Sequence, residues 1–204
     1  MTPFFRTTLR TTLAATAVLG ALTLAGCSDS GSGTSATPGA GASSAASPSV
    51  TSTATFNDAD VMFAQMMIPH HQQAVQMSDM LLAKQGVDAD VASLARQIKA
   101  EQQPEITTMQ GWLSAWGRPA SGGMDMGGGG GMSPSQMDAL DKADGPTGQK
   151  LYLQGMVKHH QGAIAMAQDE VAAGQDPDAV ALARSIVSSQ QAEITTMNGM
   201  LAKL

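Results

Sequence analysis

The sequence predicts an all-α fold, a four-helix bundle made of two pseudo-symmetric helical hairpins. Three observations predict it. The chain repeats itself: Phe63, Met67, His70, His71, Ala74 and Met77 return 89 residues later as Tyr152, Met156, His159, His160, Ala163 and Met166. The offset then drops to 88, so that Leu94-Ala95-Arg96 matches Leu182-Ala183-Arg184, and Glu105-Ile106-Thr107-Thr108-Met109 matches Glu193-Ile194-Thr195-Thr196-Met197. Within each copy, apolar residues recur at helical spacing on both sides of a polar turn, where the one missing residue falls. Each copy is thus a helix-turn-helix unit with an apolar stripe to bury, and two such hairpins bury their stripes against one another.

Residues 1–26 carry Arg6 and Arg10 and then an apolar run, Leu13 to Ala25. That run is too short to span a bilayer, which takes about 20 residues, and reads as an export signal. It ends in Leu24-Ala25-Gly26-Cys27, which resembles the lipobox of bacterial lipoproteins, so Cys27 is expected to carry the lipid that anchors the chain to a membrane. Cys27 is the only cysteine, which excludes an intramolecular disulfide. Residues 27–55 are otherwise Ser, Gly, Ala, Thr and Pro with almost no bulky apolar side chain, a composition that cannot order itself. They form a tether with a mean reach of about 30 Å. Residues 56–204 are the bundle.

The first hairpin covers residues 56–116. Asn57 or Asp58 caps a helix in which apolar residues recur at helical spacing through Val61, Met62, Phe63, Met66, Met67, Ala74, Met77 and Leu81, ended by Gly86. Asp88 caps the second helix, which runs to about Trp116 with Val91, Ala95, Ile98, Gln102, Glu105, Met109 and Leu113 facing inward. Residues 117–132 are a glycine-rich loop holding Met124, Met126 and Met132, either a flexible arm for soft ions or a plain linker. The second hairpin, 133–204, starts with a short helix opened by Ser133 and Pro134, resumes at about Thr147, and turns at Asp176-Pro177.

The formal charge is −6, and loss of the signal removes Arg6 and Arg10 and no acid, which makes it −8. That balance argues against nucleic acid as a partner. Four Phe, two Trp and one Tyr supply little aromatic core, so aliphatic side chains and many of the 15 methionines must fill it. Methionine is an adaptable filler and also a soft thioether ligand.

All four histidines lie in the repeated segments Met67-Ile68-Pro69-His70-His71 and Met156-Val157-Lys158-His159-His160. Projected at about 100° per residue, the shared positions fill an arc of roughly 120°, with His70 and Met77 towards one edge and His71 at the other. An antiparallel hairpin turning near residue 87 sets His70 beside Glu105, and the second turn likewise sets His159 beside Glu193. The expected result is a buried layer of four histidines and two glutamates, with Gln102 and Gln190 at the same stripe and Met67, Met77, Met156 and Met166 above and below. Such a layer costs stability unless every group is paired. One reading is structural, with His and Glu fixing the register and Met as filler. The other is a metal site: imidazole plus thioether suits Cu(I) or Ag(I), while zinc or Cu(II) would use imidazole and carboxylate. Iron is disfavoured, since a di-iron bundle wants Glu-x-x-His motifs and none occurs. Pro69, inside the first helix, frees the Gln65 carbonyl and has no counterpart at Lys158.

At these double-histidine segments, and at the Glu-Ile-Thr-Thr-Met ends of both hairpins, the sequence resembles the bacterial family catalogued as domain of unknown function 305. The resemblance covers about residues 56–203. It implies a secreted or lipid-anchored protein with a ferritin-like helical fold, and a copper association known for some members. Carried over, it marks His70, His71, His159 and His160, with Met67, Met77, Met156 and Met166 as neighbours. The combined expectation is a lipid-anchored, extracytoplasmic protein that binds copper-type ions and is not an enzyme. The alternative is a non-catalytic module that docks an envelope partner.

Overall fold

Side-chain caps set where the helices begin. The first helix, α1 (Asp58–Leu82), is opened by Asn57, which accepts from the Ala59 and Asp60 amides at 2.7 and 3.2 Å. Asp60 in turn accepts from the Asn57 amide at 2.6 Å, which completes a capping box. Asp88 opens α2 (Ala89–Ala115), Ser133 opens α3 (Pro134–Lys142), Asp144 opens α4 (Gly145–Ala173) and Asp176 opens α5 (Pro177–Leu201). Each such cap is worth about 1 kcal/mol. The prolines in the first turns of α3, α4 and α5 give up only amides that have no helical partner there. The computed structural model describes residues 55–120 and 129–204. The export signal, Cys27, the tether up to residue 54, and Met124 and Met126 lie outside the described residues.

Several boundaries differ from expectation. The first helix stops at Leu82, and Gly86, with φ of 77°, belongs to the turn beyond it. The fourth helix starts at Gly145, ahead of Thr147, because Asp144 accepts from the Thr147 amide at 2.8 Å. Pro104 is as fully inside a helix as Pro69 is. The second helix ends at Ala115, and Gly117 beyond it, with φ of 65°, lets the Arg118 amide reach back to the Leu113 carbonyl at 2.8 Å.

The helices α1 and α2 pair as one hairpin and α4 and α5 as the other, and the hairpins join through α1 and α4. The outer helices α2 and α5 barely meet, and α3 packs on α1 and α4. α1 and α4 run antiparallel: Asn57 donates to the Ala173 carbonyl at 2.7 Å at one end, and Ser78 and Tyr152 share a hydroxyl hydrogen bond of 3.0 Å towards the other. Fully buried Ala64, Ala74, Ala163 and Ala167 bring the two helices close.

Each hairpin's turn is held by the first helix of the other. Asp60 accepts from the Gln175 and Asp176 amides at 3.0 and 2.9 Å, while its repeat equivalent Gln149 accepts from the Asp88 amide at 2.8 Å. The apolar interior forms two clusters, one around Leu81, Ile98, Leu153 and Met156 and the other around Phe63, Met67, Leu113 and Ile186. The histidine segments of α1 and α4 lie between them.

Candidate metal centre

Adjacent helical residues point about 100° apart, so the two histidines of a pair leave their helix towards different neighbours. His71 turns to α2, where its Nε2 donates to Glu105 Oε2 at 2.7 Å. His160 turns to α5 and donates to Glu193 Oε2, also at 2.7 Å. The register expected from sequence gave these glutamates to His70 and His159. The structure corrects this, because the edge of α1 that carries His70 faces α4 and only the His71 edge faces α2.

The other two histidines meet across the α1 and α4 contact. The rings of His70 and His159 have centroids 3.6 Å apart. His159 Nε2 donates to the His70 backbone carbonyl, and His70 Nε2 to the Gly129 carbonyl, both at 2.9 Å. Each Nε2 therefore faces an oxygen, which places the ring hydrogen on Nε2 and leaves a lone pair on Nδ1. None of the four Nδ1 atoms has a hydrogen-bond partner among the described residues, and none of the four residues is more than 1% exposed. Burial, then the neighbouring His71, holds His70 down at about 3. Burial, then His70 and the two outer histidines, holds His159 well below the usual range. These two rings are neutral at pH 7, the form that binds metals.

The rest of the expected set divides. Gln102 and Gln190 are buried, with both amide atoms of Gln102 and Oε1 of Gln190 unpaired among the described residues. Met67 and Met156 are fully buried, one in each apolar cluster, so the layer has a thioether on either side. Met109 and Met197 of the outer helices join them, one per cluster. Met77 and Met166 stand seven residues beyond His70 and His159, roughly 10 Å along the helix. Met77 packs in the apolar core with Leu81, and Met166 is half-buried at the edge of the other cluster. Among the described residues no three His, Cys, Asp or Glu side chains converge as a ready-made cage.

Sequence reasoning missed the Gly129 carbonyl. The loop end that carries it is docked by Gln73, which accepts from the Met132 amide at 2.8 Å and donates to its carbonyl at 3.0 Å. A Cβ on Gly162 of α4 would collide with the Gly129 carbonyl, so glycine is required there. Gln73 and Gly162 are equivalent positions of the repeat, and their mismatch is the signal that could have located the docked loop. Met132 is no free arm: it is buried, its sulfur against Gly155.

The chain matches a family model described as Domain of unknown function (DUF305) over residues 60–201. A DUF305 protein from Streptomyces coelicolor, described as secreted, is 36% identical with a TM-score of 0.67, the match covering 71% of this chain and 93% of that one. A DUF305 fragment from Deinococcus radiodurans is 31% identical with a TM-score of 0.68, covering 72% and 98%. The protein CopM in its Cu(I)-bound form is 32% identical with a TM-score of 0.59, covering 71% and 96%. CopM also matches in Cu(II)-bound, Ag-bound and apo forms. No curated protein matches.

Proposed function

The chain belongs to the DUF305 family, and from that premise we propose that it is an extracytoplasmic, lipid-anchored carrier of copper-type ions. It takes up Cu(I) or Ag(I) in preference to other ions, buffers or passes them on, and catalyses no reaction of its own. One observation carries this reading: four buried histidines whose Nε2 atoms are all engaged by oxygens and whose Nδ1 atoms have no partner among the described residues. Glu105 and Glu193 are used in orienting imidazoles. The donors left over are imidazole nitrogen and thioether sulfur, a set that suits soft monovalent ions. Zinc remains the alternative, through the same imidazoles and a released glutamate. The Cu(I)-bound and Ag-bound forms of CopM support this choice, while its Cu(II)-bound form shows that protein taking a divalent ion as well. Anchoring through Cys27 fits the secreted description of the Streptomyces relative. No helix among the described residues is long and apolar enough to cross a membrane.

The test is a thermal melt of the full chain with Cu(I), Ag(I), Cu(II), Zn(II) or chelator. An ion bound only by the folded state at about 100 times its Kd stabilises by about 2.7 kcal/mol, a rise of roughly 5 to 10 °C. The rise is expected with Cu(I) and Ag(I), and the double variant His70→Ala/His159→Ala should fold and lose it. Retention of the rise in that variant overturns the assignment. A second reading, an interaction module whose polar layer only fixes register, draws on the two His–Glu hydrogen bonds and the lack of a ready-made cage. It predicts no shift with any ion.

A further inference from the structure

The groove between α1 and α4 has two halves related by the repeat, one on each side of the His70–His159 contact, and they are finished differently. In one, Leu151 and Gly155 of α4 are covered by Met132 and α3, and a Cβ on Gly155 would run into the Met132 sulfur. In the other, the repeat places Met62 where Leu151 stands and Met66 where Gly155 stands. There an open cavity of about 360 Å³ is lined by Met62, Phe63, Met66, Met166 and Glu170, with Asp58 and Asp169 also on its wall.

The cavity gathers thioethers from two helices. Met62 and Met66 are one turn apart on one face of α1, and Met166 faces them from α4. Met62 is 48% exposed, one of two large apolar side chains so exposed among the described residues. Met166 also reaches inward: its sulfur and His70 Cδ2 lie 3.9 and 3.8 Å from a single point, the Cβ position of Gly129. The cavity thus adjoins the imidazole layer through one methionine.

Resting on the functional reading above, we propose that Met62, Met66 and Met166 form a separate outer site for a soft monovalent cation, Cu(I) or Ag(I), through which the ion reaches His70. Thioethers are neutral and carry no proton, so capture needs no deprotonation and discriminates against harder ions such as zinc. The Asp169 carboxylate raises the local cation concentration, while Asp58 is paired with Arg118 at 3.2 Å. Transfer inward is ligand exchange: a thioether bond is released as a bond to an imidazole nitrogen forms, and the oxidation state is unchanged.

The experiment is an Ag(I) titration of the full chain, by calorimetry and by stopped-flow uptake, against the variant Met62→Leu/Met66→Leu, which keeps the apolar bulk. The variant should lose one weaker equivalent, fill its remaining sites at least several-fold more slowly, and keep the tighter equivalents that depend on His70 and His159. Met62→Leu alone, at a side chain half in water, keeps the test available if the double variant is destabilised, and should weaken the outer equivalent several-fold. Full stoichiometry and an unchanged rate in these variants overturn the outer site while the carrier function stands. If the unaltered chain takes up no Ag(I), both fall.

Discussion

The protonation pattern of each imidazole is decided by one oxygen, which makes Glu105, Glu193 and Gly129 the residues whose loss is most informative. Glu193→Ala strips the acceptor from the buried Nε2 of His160. It should cost about 1 to 3 kcal/mol of stability by denaturant unfolding. If His160 is a ligand, Ag(I) affinity should also fall by about 10- to 100-fold; a purely structural layer predicts the first loss without the second. Gly162→Ala acts on the other side of the layer. Its methyl group would occupy the position of the Gly129 carbonyl and push the loop off His70. Overpacking of this kind costs about 1 to 3 kcal/mol, and the same substitution at the equivalent Gln73 would instead unpin the Met132 backbone. The histidines and glutamates were legible because their spacing repeats. The backbone acceptor was not, since a carbonyl has no residue-type signature and the loop that brings it comes from outside the repeat.

At the scale of elements, the caps and hairpins were legible because each rests on local chemistry: Asn57, Asp88, Ser133 and Asp176 all cap as read. The lateral pairing was not, because sequence gives the arc of α1 but not which edge α4 takes. The pairing also creates something absent from either helix alone. Where the start of α1 meets the end of α4, buried Glu170 lies against Asp60, and both face the turn into α5. Burial tends to raise Asp60, but amide hydrogen bonds from Asn57, Asp176 and Gln175, with the Glu170 side chain, hold it below its usual value. Glu170 is pushed up to about 8 by burial first, then by the closeness of the Asp60 carboxyl and the charges of Asp60 and Asp176. Between its unfolded value near 4.5 and about 8 the folded state holds the extra proton. The stabilisation is therefore full below pH 4.5 and lost as pH rises through 8. Melting temperature should fall between about pH 5 and 8 and level off above that, and Glu170→Gln, which mimics the protonated acid, should flatten that fall. An unchanged slope in the variant would place its origin elsewhere.

At the scale of the whole molecule, the repeat raises the question of whether two copies mean two sites. The helix contacts answer in favour of a shared layer. Each hairpin clamps the other's turn through Asp60 or Gln149, so neither half is complete alone. The inner histidines of the two copies touch, with centroids 3.6 Å apart, and His159 donates to the backbone of His70 itself. Removing either ring changes the surroundings of the other. The single variants His70→Ala and His159→Ala should therefore each remove most of the metal-induced rise in melting temperature, and combining them should add little, the non-additivity of residues acting as one unit. Two independent sites predict that each single variant keeps half of the tight equivalents and that the double variant loses the sum. Stoichiometry and melting shift measured together on the three variants separate these outcomes, because a shared site loses its affinity in the first substitution and two sites lose theirs one at a time.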